Sequence, residues 1–362
     1  MTRRIRRSGL TMPINNPRFV GRSWTRDCDY LNFDLEDSVP QAQKEYARTL
    51  VREAIEHGKK GAADINIRIN CAYPEVDVRA AVWPGVSQIN FPKAQTAEQI
   101  KHLDALITEM ERLRGIRPGT IRIGATVETT LGVANSYEIA SASPRLDSFG
   151  PGTGYDMSMD MGVEMFVGFD QFFYNRGEGE LIAMALGLER DGSVYMDDTT
   201  GNVGNAELAL NRARASRKAG LRSGGGLHPN VVAPQNEGLT PAREEVENAR
   251  QVLEFFEDMD ARGEAEGDMD GRTVDKYQAA RASELIEWAE LCARRDAEKA
   301  AARERTLAAE QAALAESAPN EQSVEETSVP DPTPDTHLEK PSGEPQAEEP
   351  APPDDSEQQE QE

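Results

Sequence analysis

Three short apolar runs in this chain end in residues that could do chemistry. The run YLNF leads into the acidic residues 34–37 (DLED), INIRI carries Arg68 and is followed by Asn70, and IRIGATV leads into Glu128. Such runs, rich in β-branched and aromatic residues without clean alternation, are typical of buried strands. Gathering four carboxylates and an arginine around one point is costly for a purely structural protein. The pattern therefore predicts an enzyme whose active site lies where strands end.

The elements that must position these residues alternate along the chain. Strand candidates are separated mostly by amphipathic helices, which implies parallel pairing because each crossover needs a helix. Eight such alternations predict a TIM (β/α)8 barrel, whose active site lies at the C-terminal ends of its strands. The eight candidates are residues 6–13, 30–36, 64–70, 87–93, 120–128, 146–152, 192–198 and 224–229.

Two of the helices carry signals for their ends. Each is expected to begin with a capping box, in which side chains and backbone N–H groups pair reciprocally, and to stop at a glycine. The predicted start and stop residues are Ser38, Gln41 and Gly58 for the first helix, and Thr96, Gln99 and Gly115 for the second.

The C-terminal third predicts three kinds of segment. Residues 240–290 are mostly helical, and residues 293–317 are polar all round, which predicts an exposed helix. Residues 319–362 hold 14 Asp or Glu against one Lys and no aromatic residue, so we expect a disordered acidic tail. The predicted domains are a catalytic barrel at 1–239, a helical lid at 240–318 and the tail at 319–362.

Charge and cysteine content narrow the class of protein. The formal net charge of −24 argues against nucleic acid and anionic membrane surfaces as partners. The basic N-terminus lacks the apolar core of a signal peptide, and no stretch approaches the roughly 20 apolar residues of a membrane span. Three scattered cysteines argue against a disulfide framework or a zinc site. We therefore expect a cytoplasmic protein.

Single residues leave alternatives open. Glu128 and Asp156 each follow a strand and are candidate Mg²⁺ ligands, although either acid could instead cap the next helix. Arg68 either forms a salt bridge with Glu36 or Asp37 or faces an oxyanion formed on the substrate. Lys93 is a structural ammonium or an anion contact.

His228, near the last strand end, is more often a packed residue than a base in such a position. No Ser or Cys has a neighbouring base, and no dinucleotide or phosphate-loop motif is present, which favours metal-assisted carbonyl chemistry.

The motifs resemble the citrate lyase β-subunit/malyl-CoA lyase branch of the HpcH/HpaI aldolase superfamily over roughly residues 5–295. The ordered series consists of RRSGLTMPINNPR, DLEDSVPQAQKEYAR, RIN, FPK, VETTLGVANSYEIASASPRL, DMSMDMG, LHPNVV and GRTVDKYQAARASELI. The resemblance implies a TIM barrel with a C-terminal lid, in a homotrimer or hexamer whose lid covers a neighbour's site.

The resemblance also implies the roles of individual residues. Mg²⁺ (or Mn²⁺) would bind Glu128 and Asp156 and chelate a small 2-oxo acid such as glyoxylate or pyruvate. Arg68 would stabilise the oxyanion, and Glu36 and Asp37 would orient metal-bound water and Arg68. The lid residue Asp275 would exchange a proton with the acyl-CoA, and Arg7 and Lys93 would bind the phosphates of CoA. Further substrate contacts would come from Gly154, Tyr155 and His228.

The resemblance predicts a lyase or synthase acting on a CoA thioester such as malyl-, methylmalyl- or citramalyl-CoA. The chain departs from the family pattern at Ile14, in the stretched FGPGTGYD and at residues 224–226 (GGG). Two alternatives are a metal-dependent aldolase acting on a substrate without CoA, and a non-catalytic barrel whose acidic tail recruits a basic partner.

Overall fold

The computed structural model describes residues 4–165, 170–190 and 202–317, which form an α/β fold around a parallel sheet. The strands are β1 Gly9–Pro13, β2 Tyr30–Asp34, β3 Asp64–Arg68, β4 Gln88–Phe91, β5 Arg122–Thr126, β6 Leu146–Gly150, β7 Glu189–Arg190, β8 Gly225–Gly226, β9 Glu266–Met269 and β10 Arg272–Asp275. The helices are α1 Pro17–Gly21, α2 Lys44–Thr49, α3 Val51–Lys59, α4 Pro74–Ala81, α5 Ala97–Leu113, α6 Thr130–Ala134, α7 Ser136–Ala140, α8 Tyr155–Met161, α9 Phe173–Ala185, α10 Ala206–Lys218, α11 Val232–Leu239, α12 Arg243–Ala261 and α13 Lys276–Ser317.

The sheet has the strand order of a (β/α)8 barrel. Its eight strands run β7-β6-β5-β4-β3-β2-β1-β8, every recorded pair is parallel, and β8 returns to pair with β1. The sheet is therefore strongly curled, with helices between its strands. The predicted seventh strand, residues 192–198, lies outside the described residues, and β7 comes directly before it. The predicted tail, residues 319–362, also lies outside them.

Strands β2 and β3 are buried along almost their whole length, as predicted, but their residue types alternate between apolar and polar, which was not predicted. Leu31 and Phe33 are fully buried towards α3, where a Cβ on Gly58 would come within 3.3 Å of both. Asn32, between them, points into the barrel and accepts a hydrogen bond at 2.9 Å from Asn90 of β4. A barrel interior is usually filled by branched apolar residues, so this polar interior is a distinctive property of the chain.

The helix-boundary predictions had mixed outcomes. Thr96 and Gln99 form the expected capping box of α5, and Gly115 follows it in the left-handed region at φ +66°. The first capping box was wrong, because Ser38 donates its hydroxyl to Asp34 instead of capping a helix. Gly58 does not stop α3 but lies inside it, where its missing side chain allows close packing on the sheet.

Helix α13 packs across the N-terminal ends of the strands, opposite the predicted active site. Its Arg303 pairs with Asp27 before β2, and its Thr306 donates to the carbonyl of Lys60 before β3 at 2.9 Å. Lys299 is fully buried there, as is Cys292. The prediction of an exposed polar helix at 293–317 is confirmed for most of its described side chains, but one face is covered: Lys299 and Ala302 are buried, and Arg295 and Arg303 are partly buried in ion pairs.

The chain divides by its internal contacts into a compact unit, residues 1–315, and a second unit, residues 316–362. In the part of the chain that the structure describes, no helix combines the length and the apolar character needed to cross a bilayer.

Candidate active site

The C-terminal ends of neighbouring strands bring the predicted residues to one edge of the sheet. Arg68 is the last residue of β3, and Lys93 and Glu128 lie two residues beyond β4 and β5. Asp156 lies after β6, in the first turn of α8. Because parallel strands end on the same side, these side chains converge as expected.

Arg68 is held by a carboxylate that was not among the predicted site residues. Its Nε and Nη2 donate to the two oxygens of Asp34, each at 2.7 Å, and its Nη1 lies 3.1 Å from Glu36 Oε2. Burial alone would raise the pKa of Asp34, but Arg68 and the Ser38 hydroxyl hold it below its usual range. Of the two partners predicted for Arg68, Glu36 is therefore present, whereas Asp37 is bound to Lys93 instead.

Buried polar groups fix the loop that carries Glu36. Lys44 donates its ammonium to the carbonyls of Leu35 at 2.9 Å and Glu36 at 2.7 Å. Asn70 donates its amide to the same Leu35 carbonyl at 2.8 Å and to Asp77 at 2.7 Å. Satisfied buried networks of this kind rigidify a site, so the loop presents Glu36 at a defined place.

Lys93 lies among three carboxylates. Its Nζ is 2.7 Å from Glu36 Oε1, 2.9 Å from Asp37 Oδ2 and 3.3 Å from Asp156 Oδ1. Although partial burial opposes it, the hydrogen bonds to Glu36 and Asp37 raise the pKa of Lys93 above its usual value. A phosphate brought to this ammonium would meet those carboxylates, so the geometry disagrees with the prediction that Lys93 holds a CoA phosphate.

Burial raises the pKa of Glu36 to about 7, against the lowering effect of its hydrogen bond to Lys93 and of the Arg68 charge. Its carboxylate is nevertheless ion-paired on both sides, with Arg68 and with Lys93. Glu36 thus joins the two cations of the site in one network.

Glu128 and Asp156 suit a hard divalent cation. Burial and the nearby Asp156 carboxylate raise the pKa of Glu128, so a positive charge between the two acids would relieve their repulsion. Thr129 caps the N-terminus of helix α6, so the alternative in which Glu128 caps this helix does not hold. Two carboxylates plus waters is a common arrangement for Mg²⁺. Among the described residues no group of three or more His, Cys, Asp or Glu is placed to hold a metal.

Arg7 lies at the other end of the barrel, before β1. Its five N–H donors are taken by Asp29, Asp296 and Thr240 at 2.5–3.1 Å, and its side chain is 1% exposed. The prediction that Arg7 holds a CoA phosphate was wrong, because its guanidinium is fully paired and faces away from the site.

The other predicted substrate contacts occupy the strand-end side. Gly154 adopts φ +96°, a conformation that favours glycine, and turns the chain into α8, where Tyr155 is exposed. His228 follows β8, and its Nδ1 accepts the backbone N–H of Asn230 at 3.2 Å. It lines a cavity of about 200 Å³ with Pro13 and other residues of β1. Their roles toward a substrate stay predictions.

Asp275 ends β10 of the β9–β10 hairpin rather than joining the cluster. Its Oδ1 accepts the backbone N–H groups of Tyr277 at 2.8 Å and Gln278 at 2.9 Å, which caps the start of α13. Within the described ranges its recorded hydrogen bonds are local. A role of Asp275 in a neighbouring subunit's site stays a prediction.

Comparisons with known proteins agree with this architecture. A model of the HpcH/HpaI aldolase/citrate lyase family matches residues 7–223. The chain is 30% identical over 305 residues to an L-malyl-CoA/beta-methylmalyl-CoA lyase of Cereibacter sphaeroides, covering 80% of this chain and 96% of the relative. It is 29% identical over 289 residues to the citrate lyase subunit beta of Leuconostoc mesenteroides, covering 79% and 94%.

Solved structures show the same fold. Protein CitE from Mycobacterium tuberculosis, crystallised with magnesium, acetoacetate and coenzyme A, superposes with a TM-score of 0.61 at 22% identity, over 79% of this chain and 98% of that one. A second structure, the M. tuberculosis citrate lyase beta subunit with oxaloacetate and magnesium, gives a TM-score of 0.52 at 22% identity, over 66% and 98%. The family match together with the malyl-CoA lyase relative shows that this chain belongs to the HpcH/HpaI aldolase/citrate lyase family, whose members are carbon–carbon lyases.

Proposed function

We propose that the protein is a Mg²⁺-dependent carbon–carbon lyase or synthase that interconverts a 3-hydroxyacyl-CoA with a 2-oxo acid and an acyl-CoA. The observation that supports the proposal is that Arg68 at the end of β3 and Asp156 after β6 both interact electrostatically with Glu128 after β5. The name of one relative points to malyl-CoA and methylmalyl-CoA as candidate thioesters, and the family resemblance adds citramalyl-CoA.

Glu128 and Asp156 would hold Mg²⁺, or Mn²⁺ in its place. When bound, the ion supplies a Lewis acid for the carbonyl of the 2-oxo acid. Gly154 and Tyr155, directly before Asp156, would contact the 2-oxo acid on the same side.

Arg68 would stabilise the oxyanion that develops during cleavage or condensation. Asp34 binds its Nε and one N–H of Nη2, so the guanidinium keeps further N–H groups on Nη1 and Nη2 for a ligand. A donor held in place before the reaction starts stabilises developing charge without reorganisation. Asp34 and Glu36 supply that preorganisation for Arg68.

The carbon atom of the acyl fragment needs a group that takes or returns a proton. Asp275 would do this for a neighbouring subunit in a homotrimer or hexamer, since only its Oδ1 is recorded in the cap of α13. His228 would line the acyl side of the pocket beside β1.

A second candidate is a metal-dependent aldolase whose substrate carries no CoA. Both cations predicted to hold CoA phosphates, Arg7 and Lys93, are engaged by carboxylates. A CoA substrate would therefore need other phosphate contacts on this chain or on its neighbour.

The test is an assay of purified full-length protein with Mg²⁺, in which glyoxylate or pyruvate is offered with acetyl-CoA or propionyl-CoA and products are identified by mass spectrometry. We expect a 3-hydroxyacyl-CoA from wild type and a loss of at least about 100-fold in Glu128→Gln. Undiminished turnover in Glu128→Gln would contradict the metal assignment. Products from free but not CoA-linked substrates would select the second candidate.

A further inference from the structure

The three carboxylates around the Lys93 ammonium contact it at different distances. The partner at 2.7 Å, Glu36, is buried, and its loop is fixed by Lys44. Asp37 follows at 2.9 Å. Asp156 is the most distant, at 3.3 Å, and its side chain is 45% exposed. Asp37 is also exposed, at 54%, so the distance distinguishes the two: the contact of Lys93 with Asp156 is the longest of the three and therefore the weakest.

The backbone constrains where Lys93 points. Its φ of +51° lies in the left-handed region, which a residue with a long side chain rarely adopts and which persists only when its surroundings enforce it. Those surroundings include the next residue, Ala94, whose N–H donates to the carbonyl of Thr126 at the end of β5 at 2.9 Å. The Lys93 ammonium is thus directed into the acidic cluster by the fold.

The cluster holds more negative than positive charge. Among the side chains that the structure describes, five carboxylates (Asp34, Glu36, Asp37, Glu128 and Asp156) face two cations, Arg68 and Lys93. Asp34 and Glu36 occupy Arg68, so the cation recorded at Asp156 is Lys93. A divalent ion arriving at Glu128 and Asp156 would compete with this ammonium for Asp156 and would be repelled by its charge.

We propose that Lys93 is the counter-cation of the metal-free site and sets its affinity for divalent metal. In the metal-free protein its ammonium neutralises Asp156. When the metal binds, Asp156 exchanges the ammonium for the metal, and Lys93 keeps its two shorter bonds to Glu36 and Asp37. The inference rests on the assignment of Glu128 and Asp156 as metal ligands in the proposed function.

Gly154 makes the exchange physically accessible. With φ +96° and ψ −162° it forms the junction between the β6 loop and α8, two residues before Asp156. A residue without a side chain can adjust these angles at little cost. Asp156 could turn from Lys93 towards Glu128 without displacing β6.

The test is Mn²⁺ binding to metal-free full-length protein, measured without substrate from the electron paramagnetic resonance signal of free Mn²⁺. We expect Lys93→Met to bind Mn²⁺ more tightly than wild type, by about tenfold or more, because removing a positive charge a few ångströms away favours a divalent ion. Lys93→Arg, which retains the charge, should stay within about threefold of wild type. Lys60→Met, which removes an exposed lysine paired with Glu310, is the matched control and should leave the affinity unchanged.

Equal or weaker Mn²⁺ binding by Lys93→Met would overturn the proposal. If that variant does not fold, the comparison is made between Glu36→Gln and Glu36→Gln/Lys93→Met, where no buried carboxylate loses its partner, and the same tightening is expected. Glu128→Gln tests the metal site separately from the role of Lys93. If that variant binds Mn²⁺ as tightly as wild type, the assignment of the metal site is refuted, whatever the result for Lys93→Met.

Discussion

Replacing Asp29 by Asn should destabilise the protein strongly, although Asp29 lies at the end of the barrel away from the active site. The Asp29 carboxylate is fully buried and accepts hydrogen bonds from the Arg7 backbone N–H, Arg7 Nε and Arg7 Nη2 at 2.8, 2.8 and 3.0 Å, and from Lys299 Nζ at 2.7 Å. Lys299 belongs to α13, so this one carboxylate ties the C-terminal helix to the start of β1.

The size of the effect follows from what remains after the substitution. An Asn at this position has one oxygen acceptor and presents an NH2 donor to two buried cations, Arg7 and Lys299. Their remaining shared carboxylate is Asp296, which is half-exposed. Leaving buried charge uncompensated costs roughly 3–5 kcal/mol. We expect the free energy of unfolding of Asp29→Asn to fall by that amount.

The assay is urea unfolding followed by tryptophan fluorescence, because Trp288 on α13 is buried and donates to the Leu239 carbonyl at 2.9 Å. Lys60→Met, which breaks the exposed pair with Glu310, is the control and should change the free energy by less than about 1 kcal/mol. A loss below about 1 kcal/mol in Asp29→Asn would refute the view that this buried network holds α13 on the barrel.

Two further predictions concern the active-site network. In Asp34→Asn the carboxamide keeps one acceptor for Arg68, so we expect kcat to fall roughly 10–100-fold with KM little changed. The measurement is steady-state kinetics on the substrate that the mass-spectrometric assay selects, and a change confined to KM would contradict the positioning role. Burial raises the pKa of Glu36 to about 7, so the folded state binds the proton of Glu36 more tightly than the unfolded chain does. The free energy of unfolding should therefore fall as pH rises from roughly 4.5 to 7, by at most about 1.4 kcal/mol per pH unit. Urea unfolding across this pH range should show this decrease in the free energy of unfolding for wild type and a smaller decrease for Glu36→Gln. Equal decreases in the two proteins would exclude Glu36 as the cause.

Several site residues could be predicted because strand ends are visible in a sequence. Arg68, Lys93 and Glu128 follow from the rule that a parallel sheet gathers its C-terminal strand ends, and the structure places them at that edge. Asp34 was counted among the acidic residues 34–37 but was given no role of its own, because its pairing with Arg68 depends on the register of β2 against β3. Its signal was present, since polar residues at positions 32 and 34 alternate with Leu31 and Phe33.

Other features could not be predicted because they depend on contacts distant in sequence. The pairing of Arg7 with Asp296 joins residues 289 apart, and nothing local to RRSGL distinguishes a buried arginine from a phosphate-binding one. Composition predicts correctly that most of the segment 293–317 is exposed, but it does not show the face that contacts the barrel, because a face built on the ion-paired Lys299 has no apolar stripe to mark it.

The two ends of the barrel differ in how their charges balance, and this difference indicates where a ligand binds. At the N-terminal end, within the described ranges, seven cations form ion pairs with seven carboxylates: Arg4, Arg6, Arg7, Arg122, Arg295, Lys299 and Arg303 with Asp27, Asp29, Asp64, Asp147, Glu189, Asp296 and Glu298. A network that neutralises itself has no electrostatic need for a ligand. At the C-terminal end, among the described side chains, five carboxylates face Arg68 and Lys93. Keeping such an excess together costs folding free energy, and a divalent cation is the species that removes most of that cost on binding.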